Sequence, residues 1–184
     1  MTQSKKGISA LQIHRQIGSG DYRTAWYMCH RIRAAMKDTD FSKLLGVVEV
    51  DETFIGGKDK NRHFNKRRGI HGGSDKMIVI GAIARKGNVV CQMIENTDRR
   101  TMHNFVMNTV SENVSLVATD EAVQYGRLKQ HFEHGVVKHS DKEYVRGNIH
   151  TNNIEAFWSM LKRGVVGTFH QVSKEYLLLY LAEF

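Results

Sequence analysis

Three carboxylates stand out by where they fall in the hydrophobic pattern. Asp51 lies in the β-branched run Val47-Val48-Glu49-Val50-Asp51-Glu52-Thr53. Asp120 closes the short apolar run Leu116-Val117-Ala118-Thr119-Asp120, and Glu155 falls near the start of an amphipathic stretch. Strands bearing Asp51 and Asp120 can be sheet neighbours, which would bring the two carboxylates together. Close carboxylates repel and raise each other's pKa unless a cation lies between them. Their hard oxygens suit Mg²⁺ or Mn²⁺. Two such ions about 3.5–4 Å apart can activate a nucleophile and stabilise the leaving oxygen in phosphoryl transfer. The pattern alone leaves rivals: Glu49 shares a strand face with Asp51 by alternation, while Glu52 and Glu121 adjoin the two aspartates. Each acid taken singly also reads as an ordinary surface carboxylate.

The stretch around Glu155 adds a second signal. Ile154, Phe157, Trp158 and Leu161 fall at i, i+3, i+4 and i+7, the stripe of a core-facing helix. Seven residues return almost to the starting angle of an α-helix, so Glu155 and Lys162 project the same way, two turns apart. A metal-binding carboxylate followed by a phosphate-contacting cation needs that arrangement, although a solvated helix face satisfies it too. Thr151 or Asn152 would be the N-cap.

The elements that must position these groups follow from periodicity. Ala10, Ile13 and Ile17 predict one short helix; Ala25, Met28 or Cys29, Ile32 and Met36 predict a second, with Asp21 as its N-cap after a Gly18–Gly20 turn. Arg23, Tyr27, His30 and Arg31 would form its outer face. The pair is compatible with a helix-turn-helix over residues 1–42, or with a helical hairpin packed on its neighbour. Strands are predicted at 46–53, Met77–Ala84 and Val89–Ile94, the last two joined by Arg85-Lys86-Gly87-Asn88 as a hairpin turn. Then come a helix at 100–113, the strand Leu116–Asp120, a helix at 121–133, a strand at 135–139, a helix near 153–163 and a last helix from Ser173. Three antiparallel strands followed by two parallel strands, each of the latter reached through a helix, give an α/β fold with a mixed sheet.

Composition bounds the function class. The chain has 184 residues, with 27 Lys+Arg against 19 Asp+Glu and a formal charge of +8. A chain this basic is suited to polyanions, nucleic acid first. Two cysteines, Cys29 and Cys91, exclude a disulfide framework and a four-cysteine zinc module. His131, His134 and His139 have no cysteine nearby to complete a zinc site. No signal-peptide pattern, membrane-length apolar run or GxxxxGK[ST] loop occurs, which predicts a cytoplasmic protein and gives no indication of ATP use; action on DNA would make it nucleoid-associated. Residues 56–76 hold seven Lys/Arg against two Asp and read as a phosphate-clamping loop or a solvated one.

Several segments together resemble a known family. Val48-Glu49-Val50-Asp51-Glu52-Thr53-Phe54-Ile55-Gly56-Gly57-Lys58, Ala118-Thr119-Asp120-Glu121, His139-Ser140 through Glu143-Tyr144-Val145-Arg146-Gly147, and His150-Thr151-Asn152-Asn153-Ile154-Glu155-Ala156-Phe157-Trp158-Ser159 running on to Leu161-Lys162-Arg163-Gly164 are similar to bacterial insertion-sequence transposases of the DDE superfamily (ISXO-like, allied to Merlin elements). The resemblance implies a ribonuclease H-like catalytic domain over 43–184. It implies catalytic and metal-binding roles for Asp51, Asp120 and Glu155, with Lys162 as the basic residue that follows the glutamate. Two Mg²⁺ or Mn²⁺ ions are expected. Some relatives carry asparagine at the third acid position, which makes Asn152 and Asn153 secondary candidates.

The implied reaction is hydrolysis of a phosphodiester at a transposon end, then attack of the freed 3′-hydroxyl on target DNA. Lys58, Lys60, Arg62, Lys66, Arg67, Arg68, Lys162 and Arg163 are the expected DNA contacts. A homo-oligomer on double-stranded DNA is the expected assembly, and no membrane partner is expected. Relatives carry an upstream zinc ribbon and continue past the last helix, so the resemblance predicts a shortened copy. The competing expectations are an inactive DNA-binding remnant and a general ribonuclease H-like nuclease.

Overall fold

Strand β1, Val47–Ile55, is the element on which the sheet is organised. It pairs antiparallel with β2, Met77–Ala84, which pairs antiparallel with β3, Val89–Ile94. On its other edge β1 runs parallel to β4, Leu116–Asp120, and β4 runs parallel to β5, His134–Val137. The order β3-β2-β1-β4-β5, three antiparallel strands then two parallel ones, is the mixed sheet expected from the sequence. This computed structural model describes residues 6–18, 20–36, 41–57, 63, 65, 76–141 and 145–184.

The chain divides into two compact units. One is continuous, Lys43–Glu155; the other combines Met1–Ser42 with Ala156–Phe184. In the continuous unit, α3 (Arg99–Thr109) and a 3₁₀ segment (Val123–Gln130) supply Met102, Phe105, Val106, Tyr125 and Leu128 to the core. These residues share one buried cluster with Val48, Val50, Ile80, Ala82 and Val117 of the sheet. The helix predicted at 100–113 stops at Thr109 because Val110 turns extended and bridges Leu44. The segment at 121–133 is 3₁₀ rather than α-helical: Ala122 is extended, and Gly126 weakens the α-helix from within.

The second unit holds α1 (Ala10–Ile17), α2 (Tyr22–Ala35) and α5 (Leu177–Leu181). Asp21 caps α2 as predicted, accepting from the Arg23 N–H. The buried face of α2 differs from the prediction. Ala25, Cys29, His30 and Arg33 are buried, while Met28 and Ile32 are 40% and 39% exposed. His30 is therefore not part of an outer face, although Arg23, Tyr27 and Arg31 are exposed. Charge and aromatic packing override the aliphatic stripe. The Arg33 Nε donates to Glu183 Oε2 at 2.7 Å, and its guanidinium lies 4.1 Å from the Tyr180 ring centre. The His30 ring packs against Trp26, Tyr176 and Tyr180. The last helix is shorter than predicted: the Tyr176 N–H turns back to the Ser173 carbonyl, and α5 begins only at Leu177.

Helix α4, Asn152–Gly164, runs from the end of one unit into the other and continues as a π-helical turn over Val165–Phe169. Its predicted stripe of Ile154, Phe157, Trp158 and Leu161 is buried. No helix among the described residues is long and apolar enough to cross a membrane.

Two expected outcomes follow from this packing. A Cβ on Gly135 of β5 would lie 2.7 Å from Ile149 Cγ1 and 2.9 Å from its Cγ2. Gly135→Ala should therefore cost about 1–3 kcal/mol in urea unfolding, and adding Ile149→Ala should recover part of the loss. The second outcome concerns His30, whose ring nitrogens are both buried without a hydrogen-bond partner. Burial first, and the Arg33 charge second, hold its pKa below the ordinary 6.5. The unfolded chain thus binds this proton more readily than the folded one, and stability should fall as pH drops through about 6.5. Both tryptophans, Trp26 and Trp158, lie in this unit, so their fluorescence in urea above and below that pH reads the effect. His30→Phe should flatten it.

Candidate active site

The β1–β4 pairing is parallel, with Glu49 opposite Ala118. Two residues further along each strand stand Asp51 and Asp120, so neighbouring strands carry the two aspartates at matching positions. Both are partly buried. The Asp120 carboxylate is fixed locally, with Oδ1 accepting from the Ala122 N–H at 3.0 Å.

The carboxylates around them act on one buried hydroxyl. Tyr125 donates to Glu52 Oε2 at 2.7 Å. Its pKa is pushed well above the usual value, first by burial and then by the charges of Glu52, Asp51 and Asp120. Burial raises the Glu52 carboxyl as well, and the Asp120 charge adds to that rise. A crowd of hard oxygen donors whose charges oppose one another fits a divalent cation by chemistry. Among the described residues, however, no group of three or more histidine, cysteine, aspartate or glutamate side chains gathers as a metal cluster.

The helix that carries Glu155 is tied to β1 through Glu49. The Glu49 side chain has no solvent exposure. Its Oε2 accepts from the backbone N–H groups of Asn153 and Ile154 at 2.8 and 3.1 Å, and its Oε1 accepts from Asn153 Nδ2 at 2.7 Å. The first turn of α4, which contains Glu155, is therefore capped by a strand residue over 100 positions earlier. Arg85, just past β2, completes the clamp: its Nε donates to Glu49 Oε1 at 2.7 Å and its guanidinium donates to the His150 carbonyl at 3.2 Å. His150 Nδ1 lies 3.2 Å from the same Glu49 oxygen without hydrogen-bond geometry. Thr151, immediately before the helix, donates its hydroxyl to Glu155 Oε1 at 2.7 Å. Strand alternation puts Glu49 and Asp51 on the same face, so α4 is anchored on the face that carries Asp51.

Several candidates resolve differently once placed. Glu121 is engaged by Ser140, accepting from its N–H and its hydroxyl at 2.9 and 2.7 Å. Asn153 is occupied by Glu49, while Asn152 is exposed. Lys162 and Arg163 are exposed in the last turn of α4. Lys58, Lys60, Arg62, Lys66, Arg67 and Arg68 lie outside the described residues. The His131 ring sits against His103, and His134 Nε2 lies 2.8 Å from Thr119 Oγ1. Sequence reasoning read Arg85 only as a hairpin-turn residue and missed its place in the clamp; His150, which it left open as a group near the acids or a loop hydrogen-bonder, enters the clamp through its carbonyl. The signal was present in Glu49, a charged residue placed mid-strand on the same face as Asp51.

The ISXO2-like transposase domain model matches residues 43–184. No curated protein matches the chain. Among solved structures, a chain of the simian T-cell lymphotropic virus intasome in complex with PP2A regulatory subunit B56 gamma is similar, at 11% identity and a TM-score of 0.42. The match covers 95% of this chain and 67% of that one.

The clamp generates its own test. Glu49→Ala would leave Arg85 without its carboxylate and two α4 N–H groups without an acceptor, and should cost about 2–4 kcal/mol in urea unfolding. Glu49→Gln keeps an acceptor oxygen and should cost less. An unchanged urea midpoint in Glu49→Ala would show that the contact is energetically idle.

Proposed function

The chain belongs to the ISXO2-like transposase domain family, and on that premise we propose that it hydrolyses a phosphodiester at a transposon end and transfers the freed 3′-hydroxyl into target DNA. The observation that carries the reading is the pair Asp51 and Asp120 on adjacent parallel strands, with the Glu155 turn anchored to the Asp51 face by Glu49.

Asp51, Asp120 and Glu155 would hold two Mg²⁺ or Mn²⁺ ions. Bound there, such ions polarise the phosphodiester and acidify water. The protein's own residues do the positioning. Asp120 is oriented by the Ala122 N–H, and Glu155 by the Thr151 hydroxyl and the capped helix. Lys162 and Arg163 carry charge along α4 toward DNA phosphates, together with Lys58, Lys60, Arg62, Lys66, Arg67 and Arg68. Water oxygen attacks phosphorus and the P–O3′ bond breaks, leaving a 3′-hydroxyl. That hydroxyl then attacks a target phosphorus and displaces the target's own 3′-oxygen. Both steps exchange one P–O bond for another, so no covalent protein–DNA intermediate and no nucleotide cofactor are needed. On this reading residues 43–184 are the catalytic domain, and α1–α2 within residues 1–42 serve DNA binding. Two copies would pair the two ends on DNA, in the nucleoid.

The test is cleavage of labelled DNA carrying the element's own ends. With Mg²⁺ or Mn²⁺ present, the wild-type chain should cut and then join 3′-hydroxyl ends to target. Asp120→Asn and Glu155→Gln should each lower cutting about 10³-fold while leaving DNA binding in place, and Asn152→Ala should cut normally. Cutting that persists in both acid variants would sink the carboxylate mechanism. Binding without cutting by the wild-type chain would assign it to an inactive remnant, and cutting without joining to a nuclease.

A further inference from the structure

Two cavities in the continuous unit share a wall. One is lined by Asp120, Ala122, His134 and Val136; the other by Arg100, His103, Asn104 and His131; Arg99 and Arg127 border both. The first residues of α3 form one side and the 3₁₀ segment after β4 forms the other. The two sides are packed together, with the His103 and His131 rings 5.2 Å apart. The result is a continuous groove that starts beside Asp120 and runs outward past three arginines.

We propose that this groove is a phosphate track, holding the backbone of the DNA strand that leads into the Asp51–Asp120 site. The proposal rests on the transposase reading and adds to it a binding surface distinct from the basic segment at 58–68 and from α4. Arg99, Arg100 and Arg127 are all exposed. Among the described residues, no ion pair joins any of them to a carboxylate. The acids beside the groove have hydrogen-bond donors of their own, with Asp98 also feeling the Arg100 charge and Asp120 held by the Ala122 N–H. Asp98 accepts from the Thr101 N–H and hydroxyl, and Glu121 accepts from Ser140. The guanidinium charge is thus available to an incoming anion, and guanidinium groups bind phosphate oxygens in a bidentate fork. The location also answers an electrostatic need. A polyanion approaching Asp51, Glu52 and Asp120 meets like charge, and a line of cations at the entrance offsets it. Contacts of this kind fix the register of a strand without reading its bases.

The experiment is fluorescence anisotropy of a labelled duplex with the full chain over a salt series. Each lost phosphate contact makes the dependence of log K on log salt shallower by about one. Arg99→Ala/Arg127→Ala should therefore flatten the slope by about two and weaken binding about tenfold or more near 0.1 M salt. Each single variant should take about half of the slope change. Arg99→Lys/Arg127→Lys should keep the slope, and Lys174→Ala, exposed in the other unit, should leave it unchanged. Urea midpoints matching the wild type would show that folding is intact, and the single variants carry the test if the double variant unfolds. A wild type that binds DNA with a slope identical to that of the double variant would overturn the track and leave the transposase reading standing. A wild type that does not bind DNA would remove both.

Discussion

A single buried carboxylate sets the geometry of the site. Glu49 has lost its hydration entirely, a cost that stands unless charge and hydrogen bonds replace the water. The replacements come from two separate places in the chain: the turn after β2 through Arg85, and the first turn of α4 through Asn153 and Ile154. An anion at a helix N-terminus is favoured by the helix dipole. The same contact that satisfies Glu49 therefore fixes where α4 begins. Successive same-face residues on a strand stand about 6.6 Å apart, so the anchor and Asp51 keep a fixed spacing.

The opposite face of β1 shows a different treatment of charge. There Glu52 accepts from the phenol of Tyr125. Burial and the neighbouring Asp120 both favour the protonated carboxyl, while the Tyr125 hydroxyl opposes that shift by donating. The strand thus carries one fully compensated acid at Glu49 and, further along, Glu52, whose charged form is opposed by burial and by Asp120. Opposed charge of this kind fits a divalent cation by chemistry at that end of the strand. The arginines along α3 and the 3₁₀ segment sit just outside it, so the field changes sign over a short distance.

Much of the sheet was legible in the sequence. Met77–Ala84, Val89–Ile94 and Leu116–Asp120 have the predicted bounds, because β-branched runs end sharply at turn residues. The neighbouring placement of Asp51 and Asp120 was legible too, since helical crossovers force parallel addition to the sheet. The clamp was not. Hydrophobic periodicity scores a glutamate as exposed, and the groups that make Glu49 buriable lie 36 and more than 100 residues away. The face of α2 failed for the same reason: Arg33 reads as a solvent residue until Glu183 and two aromatic rings are placed around it. In both cases a charge is buried by a distant partner, a relation no local window contains. The arginine groove escaped notice because its walls are separate elements that are each unremarkable alone.

The division of the chain bears on the order in which it can become structured. Lys43–Glu155 is continuous, so every contact of its sheet and core is available once residue 155 has emerged from the ribosome. The other unit is split between the two ends of the chain. Until Glu183 is synthesised, Arg33 has no carboxylate to bury against, and until Tyr176 and Tyr180 arrive the His30 face of α2 lacks two of its three rings. Helix α2 is made early and packed late. During translation it waits with an apolar and cationic surface uncovered while the sheet that follows it folds, and residues 156–184 close a loop begun with the first helices.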